Sequence, residues 1–276
     1  MMDNASSLIF VEFQKHLNTH ETLQAVQTFD KFCLDHGVVP VEFVSDSGSA
    51  FTSKAFKDHM AECRQIIHFA GTGAHHHNSI AERAIRTVMS VARTCMLHAA
   101  IHWPNMADAT LWPLAVQYAV HIINRVPNPE TGLSPLDVFS NQRQPTRRLH
   151  DLHVWGSPAY LLDKRIADGK KLPKWETKSD RVIFVGISKE HLASTPIILN
   201  PRTRRLTTPY HVVFDDWFAT VGSNPEEFPD FNSPEWKQMF GDSEYQYVEE
   251  EEWLQPEPVP SGLTPHWHEG SRWQPN

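Results

Sequence analysis

With 276 residues, 40% of them hydrophobic and 11% aromatic, the chain can bury one large core or two modest ones, which excludes a wholly disordered protein. Its net charge of −8 is unevenly spread, because residues 223–276 carry 12 acids against 2 bases while residues 143–205 carry 14 Lys or Arg against 6 Asp or Glu. No apolar run approaches the roughly 18 residues of a membrane span, the start MMDNASSLIF lacks a basic leader, and Cys33, Cys63 and Cys95 form no CxxC pair; a soluble intracellular protein with buried thiols and no membrane partner is expected.

SLIFVEF at 7–13 is rich in strand formers and is predicted as a strand. Asn18 with Glu21 makes a capping-box start for an amphipathic helix that buries Leu23, Val26, Phe29 and Cys33 and ends at Gly37. VEFVS (41–45) predicts a second strand that stops at Asp46 in the turn sequence DSGS. A short helix around Lys54 to Cys63 and a third strand, QIIHF (65–69), follow. Strands alternating with helices argue for an α/β layer structure.

From Ser79 the pattern is helical for about twenty residues, with Ala81, Ile85, Val88, Ala92 and Cys95 on the apolar face and Glu82, Arg86 and Arg93 on another. A further helix from Asp108 to about Asn124 buries Leu111, Ala115, Tyr118, Ala119 and Ile122, and VPNPETGLSP reads as a connector. After residue 150 the periodicity becomes extended. HVWGSPAYLL, RVIFVGIS, TPIILN and RRLTTPYHVVF are short strands, with NPRTRR as a hairpin turn, and predict a small β-barrel or sandwich. Beyond Gly222 the chain is acidic and proline-rich, with EEEEW at 249–253, and is expected to be largely disordered.

Two carboxylates stand out by position, Asp46 where a strand ends and Glu82 near a helix start, with 35 residues between them. Reactive groups in α/β proteins collect at the carboxyl ends of strands. Joined by a third, two such carboxylates can hold a pair of Mg²⁺ ions roughly 4 Å apart for phosphoryl transfer. Each has a structural alternative. Ser79-Ile-Ala-Glu82 is a capping box, and Asp46 before Ser-Gly suits an Asx-turn.

VEFVSDSGSAF resembles the second-aspartate motif of retroviral and copia-type retrotransposon integrases, and HHHNSIAERAIRTV (75–88) resembles the motif that carries their catalytic glutamate. LWPLAVQYAVHIINRVPN and TGLSPLDVF are similar to the helix and connector that follow in copia-type elements, and VWGSPAYLL, KSDRVIFVGIS and LTTPYHVVFDDW to their C-terminal SH3-like barrel. The likeness runs in order over residues 5 to 218. It implies an α/β fold organised as an RNase H-like catalytic core at 1–140, incomplete at its N-terminus, a basic linker with an SH3-like β-barrel at 141–222, and an acidic tail at 223–276.

By this resemblance Asp46 and Glu82 are the second and third ligands of two Mg²⁺ (or Mn²⁺) ions, and Asn78, Arg83, Arg86, Lys54, Arg147 and Arg148 are candidates for DNA contact. The implied activity is DNA integration, by trimming a 3′ end and joining it to a target strand. The implied partners are the element ends and target DNA, a second copy of the chain, and no small-molecule substrate. The implied location is the nucleus. Against the family pattern, the first catalytic aspartate and the His/Cys zinc module lie upstream of what this sequence includes, Ser79 replaces a usual glycine, and Asp3 matches a different acidic position. Little or no strand transfer is therefore expected of the isolated chain, and a non-catalytic DNA-binding or assembly module is the alternative.

Among the remaining features, adjacent His75, His76 and His77 have no partner at zinc-ligand spacing, so no zinc site is expected there. Asp215 and Asp216 read as solvated surface, and Trp112 and Trp155 as core. Arg143, Arg147 and Arg148 form a cationic cluster suited to phosphate.

Overall fold

Asn18 begins the first helix as its neighbours dictate: its side chain accepts from the Glu21 amide at 2.8 Å, and Glu21 Oε2 in turn accepts the amides of Lys15 and His16. In the computed structural model, which describes residues 1–71, 79–103, 108–143, 149, 152–191, 195–222 and 233–240, this helix is α1 (Thr19–Asp35). It buries Ala25, Val26, Phe29 and Cys33 and ends at Gly37 with φ +73°, a left-handed backbone that glycine adopts without strain.

β1 (Glu42–Ser45) leads through the single turn α2 (Ser49–Thr52) to α3 (Lys54–Glu62), whose N-cap Ser53 accepts from the Phe56 amide. β2 (Ile66–Phe69) then pairs parallel with β1, Glu42 opposite Ile66 and Ser45 opposite Phe69. The predicted strand at 7–13 forms no ladder among the described residues. Its one bridge, Met2 to Ile9, is antiparallel, and the Asn124 side chain takes the place of a second neighbour, accepting from the Ile9 amide at 2.9 Å and donating to the Ile9 carbonyl at 2.7 Å.

α4 (Ser79–His102) and α5 (Trp112–Ile123) form the helical centre. The buried stripe of α4 runs through Ala84, Val88, Ala92, Met96, Ala99 and Ala100, so the apolar face is rotated from the one predicted: Ile85 is 62% exposed. α5 buries Ala115, Tyr118 and Ala119 as expected, while Trp112 at its start lies edge-on to Phe13 and remains 37% exposed rather than core. The predicted connector ends in a further short helix. Ser134 and Asp137 form a reciprocal, buried capping box that starts α6 (Pro135–Ser140).

The extended C-terminal runs form a five-stranded antiparallel sheet in the order β6-β5-β4-β3-β7, from β3 (Pro158–Leu162), β4 (Ser179–Ile187), β5 (Pro196–Leu199), β6 (Leu206–Thr207) and β7 (Val212–Phe214), with the one-turn helix α7 (Lys164–Ala167) between β3 and β4. The protein is therefore a mixed α/β fold. Asn200 closes the predicted β5–β6 hairpin, its side chain accepting the amides of Arg202 and Thr203.

This sheet packs on the helices: Trp155, Ile183, Phe184, Val185 and Leu199 share one buried cluster with Val88, Ala92, Met96, Ala115 and Tyr118. Gly156 marks the closest approach. At φ +84° a Cβ there would lie 2.4 Å from the Ala99 Cβ, so only glycine lets α4 and the strand entry touch, and Trp103 Nε1 bonds the Gly156 carbonyl at 2.7 Å.

Met1–Phe240 form one packed unit. Within it, α8 (Pro234–Phe240) is an ordered element inside the stretch expected to be largely disordered, and its Trp236 is 7% exposed and joins the central cluster. Residues 241–276 lie outside the described part. No helix among the described residues is long and apolar enough to cross a membrane.

Candidate metal and nucleic-acid site

Asp46 follows β1 directly, and its position is fixed by the backbone that comes next. Gly48 donates its amide to Asp46 Oδ1 at 3.0 Å, which is the Asx-turn that the sequence offered as an alternative. A Cβ on Gly48 would stand 2.9 Å from that same oxygen, so any larger residue there has to displace the Asp46 carboxylate from this turn. The Gly48 carbonyl then accepts from Phe51 and Thr52 to open α2, and buried Ala50 anchors the turn. Asp46 itself is exposed. An Asx-turn engages one carboxylate oxygen only, so it is compatible with a ligand role for the other.

The carboxyl ends of the two parallel strands stop side by side, because Ala70 donates its amide to the Ser45 carbonyl at 2.8 Å, one step beyond the ladder. The chain therefore leaves β2 next to Asp46. Nine residues after Ala70 it begins α4, whose first turn holds the half-buried Glu82. An acid is favoured there in any case, since the helix N-terminus carries partial positive charge. Asn78, the histidines 75–77, Arg147 and Arg148 lie outside the described residues, and so does the side chain of Ser79 with its capping-box alternative.

Exposed cationic side chains lie on the same elements and elsewhere on the protein. Lys54 is exposed at the first position of α3, and Arg83, Arg86 and Arg93 are exposed along α4. Arg143, just after α6, and Lys170, Lys171, Lys174, Lys178, Arg202 and Arg205, on the loops and edge of the five-stranded sheet, are exposed as well. Several basic groups are held in place by acids: Arg165 meets Asp163 and Glu176 at 2.8 and 2.7 Å, and Arg202 meets Asp180 at 3.0 Å.

As donors, Asp46 and Glu82 are both carboxylates with solvent access, which fits a hard, oxygen-preferring divalent cation such as Mg²⁺ or Mn²⁺. Asp215 and Asp216, by contrast, are structural rather than merely solvated. Asp215 accepts the amides of Ala219 and Thr220, and Asp216 receives the His153 ring at 2.9 Å and the Val154 amide at 2.9 Å. Cys63 is exposed, against the expectation of buried thiols.

No family model matches the chain. Among curated proteins it is 29% identical over 247 residues to the retrovirus-related Pol polyprotein from transposon RE2 of Arabidopsis thaliana, covering 83% of this chain and 16% of that polyprotein. It is 31% identical over 180 residues to the corresponding polyprotein from transposon RE1 of the same plant, with 63% and 11% covered. The match to the polyprotein from transposon TNT 1-94 of Nicotiana tabacum is 26% over 197 residues, with 68% and 13% covered. The chain thus spans at most 16% of the length of these relatives. Among solved structures, the HTLV-2 integrase catalytic core domain in complex with magnesium matches with TM-score 0.39 and 16% identity, over 50% of this chain and 80% of that one. A simian T-cell lymphotropic virus intasome in complex with PP2A regulatory subunit B56 gamma matches with TM-score 0.39 and 12% identity, over 78% and 68%.

Proposed function

We propose that this chain, a member of the copia-type retrotransposon Pol family, is an integrase segment that binds DNA and contributes Asp46 and Glu82 to a divalent-metal site for DNA strand transfer. The observation that carries the reading is the placement of Asp46 at the paired ends of β1 and β2, with Glu82 in the first turn of the helix that β2 leads into. The ordered likeness to Pol polyproteins supports it.

In this reading the two carboxylates hold the cation, and a bound Mg²⁺ would supply charge neutralisation and activation of an attacking oxygen. The Asx-turn keeps one Asp46 oxygen on the Gly48 amide and so orients the other. Lys54, Arg83 and Arg86, with Asn78, Arg147 and Arg148, contact DNA phosphates, which needs clustered cations more than exact geometry. The substrates are element ends and target DNA, the working form contains more than one copy of the chain, and the site of action is the nucleus. The domain division at about residue 140 is part of the same proposal, with the acidic tail proper beginning after Phe240.

The test is Mn²⁺ binding by electron paramagnetic resonance together with DNA binding by fluorescence anisotropy across a salt series. Asp46→Asn and Glu82→Gln should each weaken Mn²⁺ binding at least tenfold, and wild-type DNA affinity should fall steeply with salt. Mn²⁺ binding unchanged in both variants would remove the metal reading, and salt-sensitive DNA binding that persists without it would favour the non-catalytic module.

A further inference from the structure

Outside that site, the fold brings together three side chains from two helices, of which only His59 and Cys63 are linked by sequence spacing. Asp30 lies on α1, while His59 and Cys63 lie four residues apart on α3 and its C-cap, where a helix presents both on one side. His59 Nε2 stands 3.5 Å from Asp30 Oδ2, and Cys63 Sγ stands 3.7 Å from the same nitrogen. One ligand atom from each residue lies within 4.8 Å of the others.

The His59 to Asp30 separation is informative because it is long for a charge-assisted hydrogen bond and close to the spacing of two ligands on one ion. A charge-assisted N–H···O bond closes to about 2.7–2.9 Å. A tetrahedral zinc ion, with bonds of about 2.0–2.2 Å to nitrogen and oxygen and about 2.3 Å to sulfur, holds its ligands about 3.3 Å (N to O) and about 3.6 Å (N to S) apart. The His59 to Asp30 distance matches the zinc N-to-O spacing within a few tenths of an ångström, whereas Cys63 Sγ, 3.7 and 3.9 Å from the two ring nitrogens, faces the ring and reaches an ion on Nε2 by a turn of its exposed side chain.

Burial points the same way. The side chains of His59 and Asp30 are only 13% and 14% exposed, and the buried Asp30 Oδ2 has no hydrogen-bond partner among the described residues. Its other oxygen accepts from Gln65 Nε2 at 3.0 Å, an outer contact that holds the carboxylate and leaves Oδ2 aimed at His59. A buried acceptor without a partner costs stability unless something cationic meets it.

We infer that Asp30, His59 and Cys63 form a binding site for a zinc-class transition-metal ion, which pins α1 to α3 independently of the proposed Mg²⁺ site. An imidazole, a carboxylate and a thiolate select Zn²⁺ or Co²⁺ over Mg²⁺, and three protein ligands leave a fourth position on the exposed Cys63 side for water. On binding, the Cys63 thiol gives its proton to solvent as the metal–sulfur bond forms.

The 276-residue protein should be titrated with Co²⁺ and followed by absorption. A thiolate-to-cobalt charge-transfer band in the near ultraviolet, with tetrahedral visible bands that Zn²⁺ abolishes and Mg²⁺ does not, is the expected result. Cys63→Ser should lose the charge-transfer band with an unchanged circular dichroism spectrum, and His59→Asn should weaken Co²⁺ binding at least tenfold. Zn²⁺ should also slow the reaction of Cys63 with a thiol reagent at least tenfold. No charge-transfer band, or a band intact in Cys63→Ser, overturns the site; so does cobalt binding through histidines 75–77 alone, which would leave Cys63 reactive.

Discussion

His121 shows how a residue within an apolar helix can set a pH dependence. It sits half-buried on α5, stacked near Tyr118 with ring centroids 6.0 Å apart, and burial, helped by the Arg125 charge, pushes its imidazole down to about 4 from an ordinary 6.5. The unfolded chain therefore takes up a proton at His121 between these values while the folded protein refuses it. The stability that neutral His121 protects is complete above about pH 6.5 and is lost as pH falls toward 4, on the order of 3 kcal/mol in all. Urea denaturation between pH 7 and 4 should show this loss, and His121→Gln should flatten most of it; a slope identical in the variant would show that other groups carry it. Burial and the neighbouring His98 push His102 in the same direction, so a smaller residual slope is expected. The same scale explains why Asp215 and Asp216 looked like surface acids in the sequence. Their partners, the amides of Ala219 and Thr220 and the ring of His153, are roles that only a folded chain assigns.

Elements with local signals were readable, and those held by distant partners were not. The Asn18–Glu21 cap, the Gly37 stop, β1 ending at Asp46 and the Asn200 hairpin each follow from chemistry within a few residues. SLIFVEF misled because strand propensity needs a neighbouring strand to become a ladder, and here the neighbour at Ile9 is the side chain of Asn124, 115 residues away. The apolar face of α4 was misplaced for a related reason. Small buried residues such as Ala84, Ala99 and Ala100, of which Ala99 meets Gly156 at the strand entry, weigh little in a periodicity that favours Ile85. Asp46 and Glu82 were legible as candidates from strand-end and helix-start positions, whereas Asp30 could not be grouped with His59 and Cys63 before α1 was laid against α3. The Asn124 contact yields a prediction at this scale. Asn124 is 8% exposed, so Asn124→Ala leaves the Ile9 amide and carbonyl without their partner and should cost about 2–4 kcal/mol in chemical denaturation. Hydrogen exchange should show the N-terminal segment opening first in the variant, and protection of Ile9 equal to wild type would contradict this account.

Over the whole molecule, charge is sorted along the sequence, and this has consequences for the proposed DNA contact. Residues 1–222 carry 23 Lys or Arg against 21 Asp or Glu, so the DNA-binding potential rests on the local excess at 143–205, opposed by the net −10 of residues 223–276. The opposition can be tested apart from folding because α8 separates two kinds of tail. Trp236 is part of the central cluster, so a cut at residue 222 removes core packing, whereas a cut after Phe240 spares it and still deletes eight acids and one base. Removing seven net negative charges raises the attraction of the remaining surface for phosphate, and an interaction of this kind decays over a Debye length of about 10 Å at 0.1 M salt. The protein lacking residues 241–276 should therefore bind duplex DNA roughly tenfold more tightly than the full chain at low salt, with the gap closing as salt rises and the thermal midpoint unchanged. Fluorescence anisotropy on a labelled duplex measures this directly. A tail deletion that leaves affinity unchanged at every salt concentration would mean that the acidic segment does not compete for the basic surface.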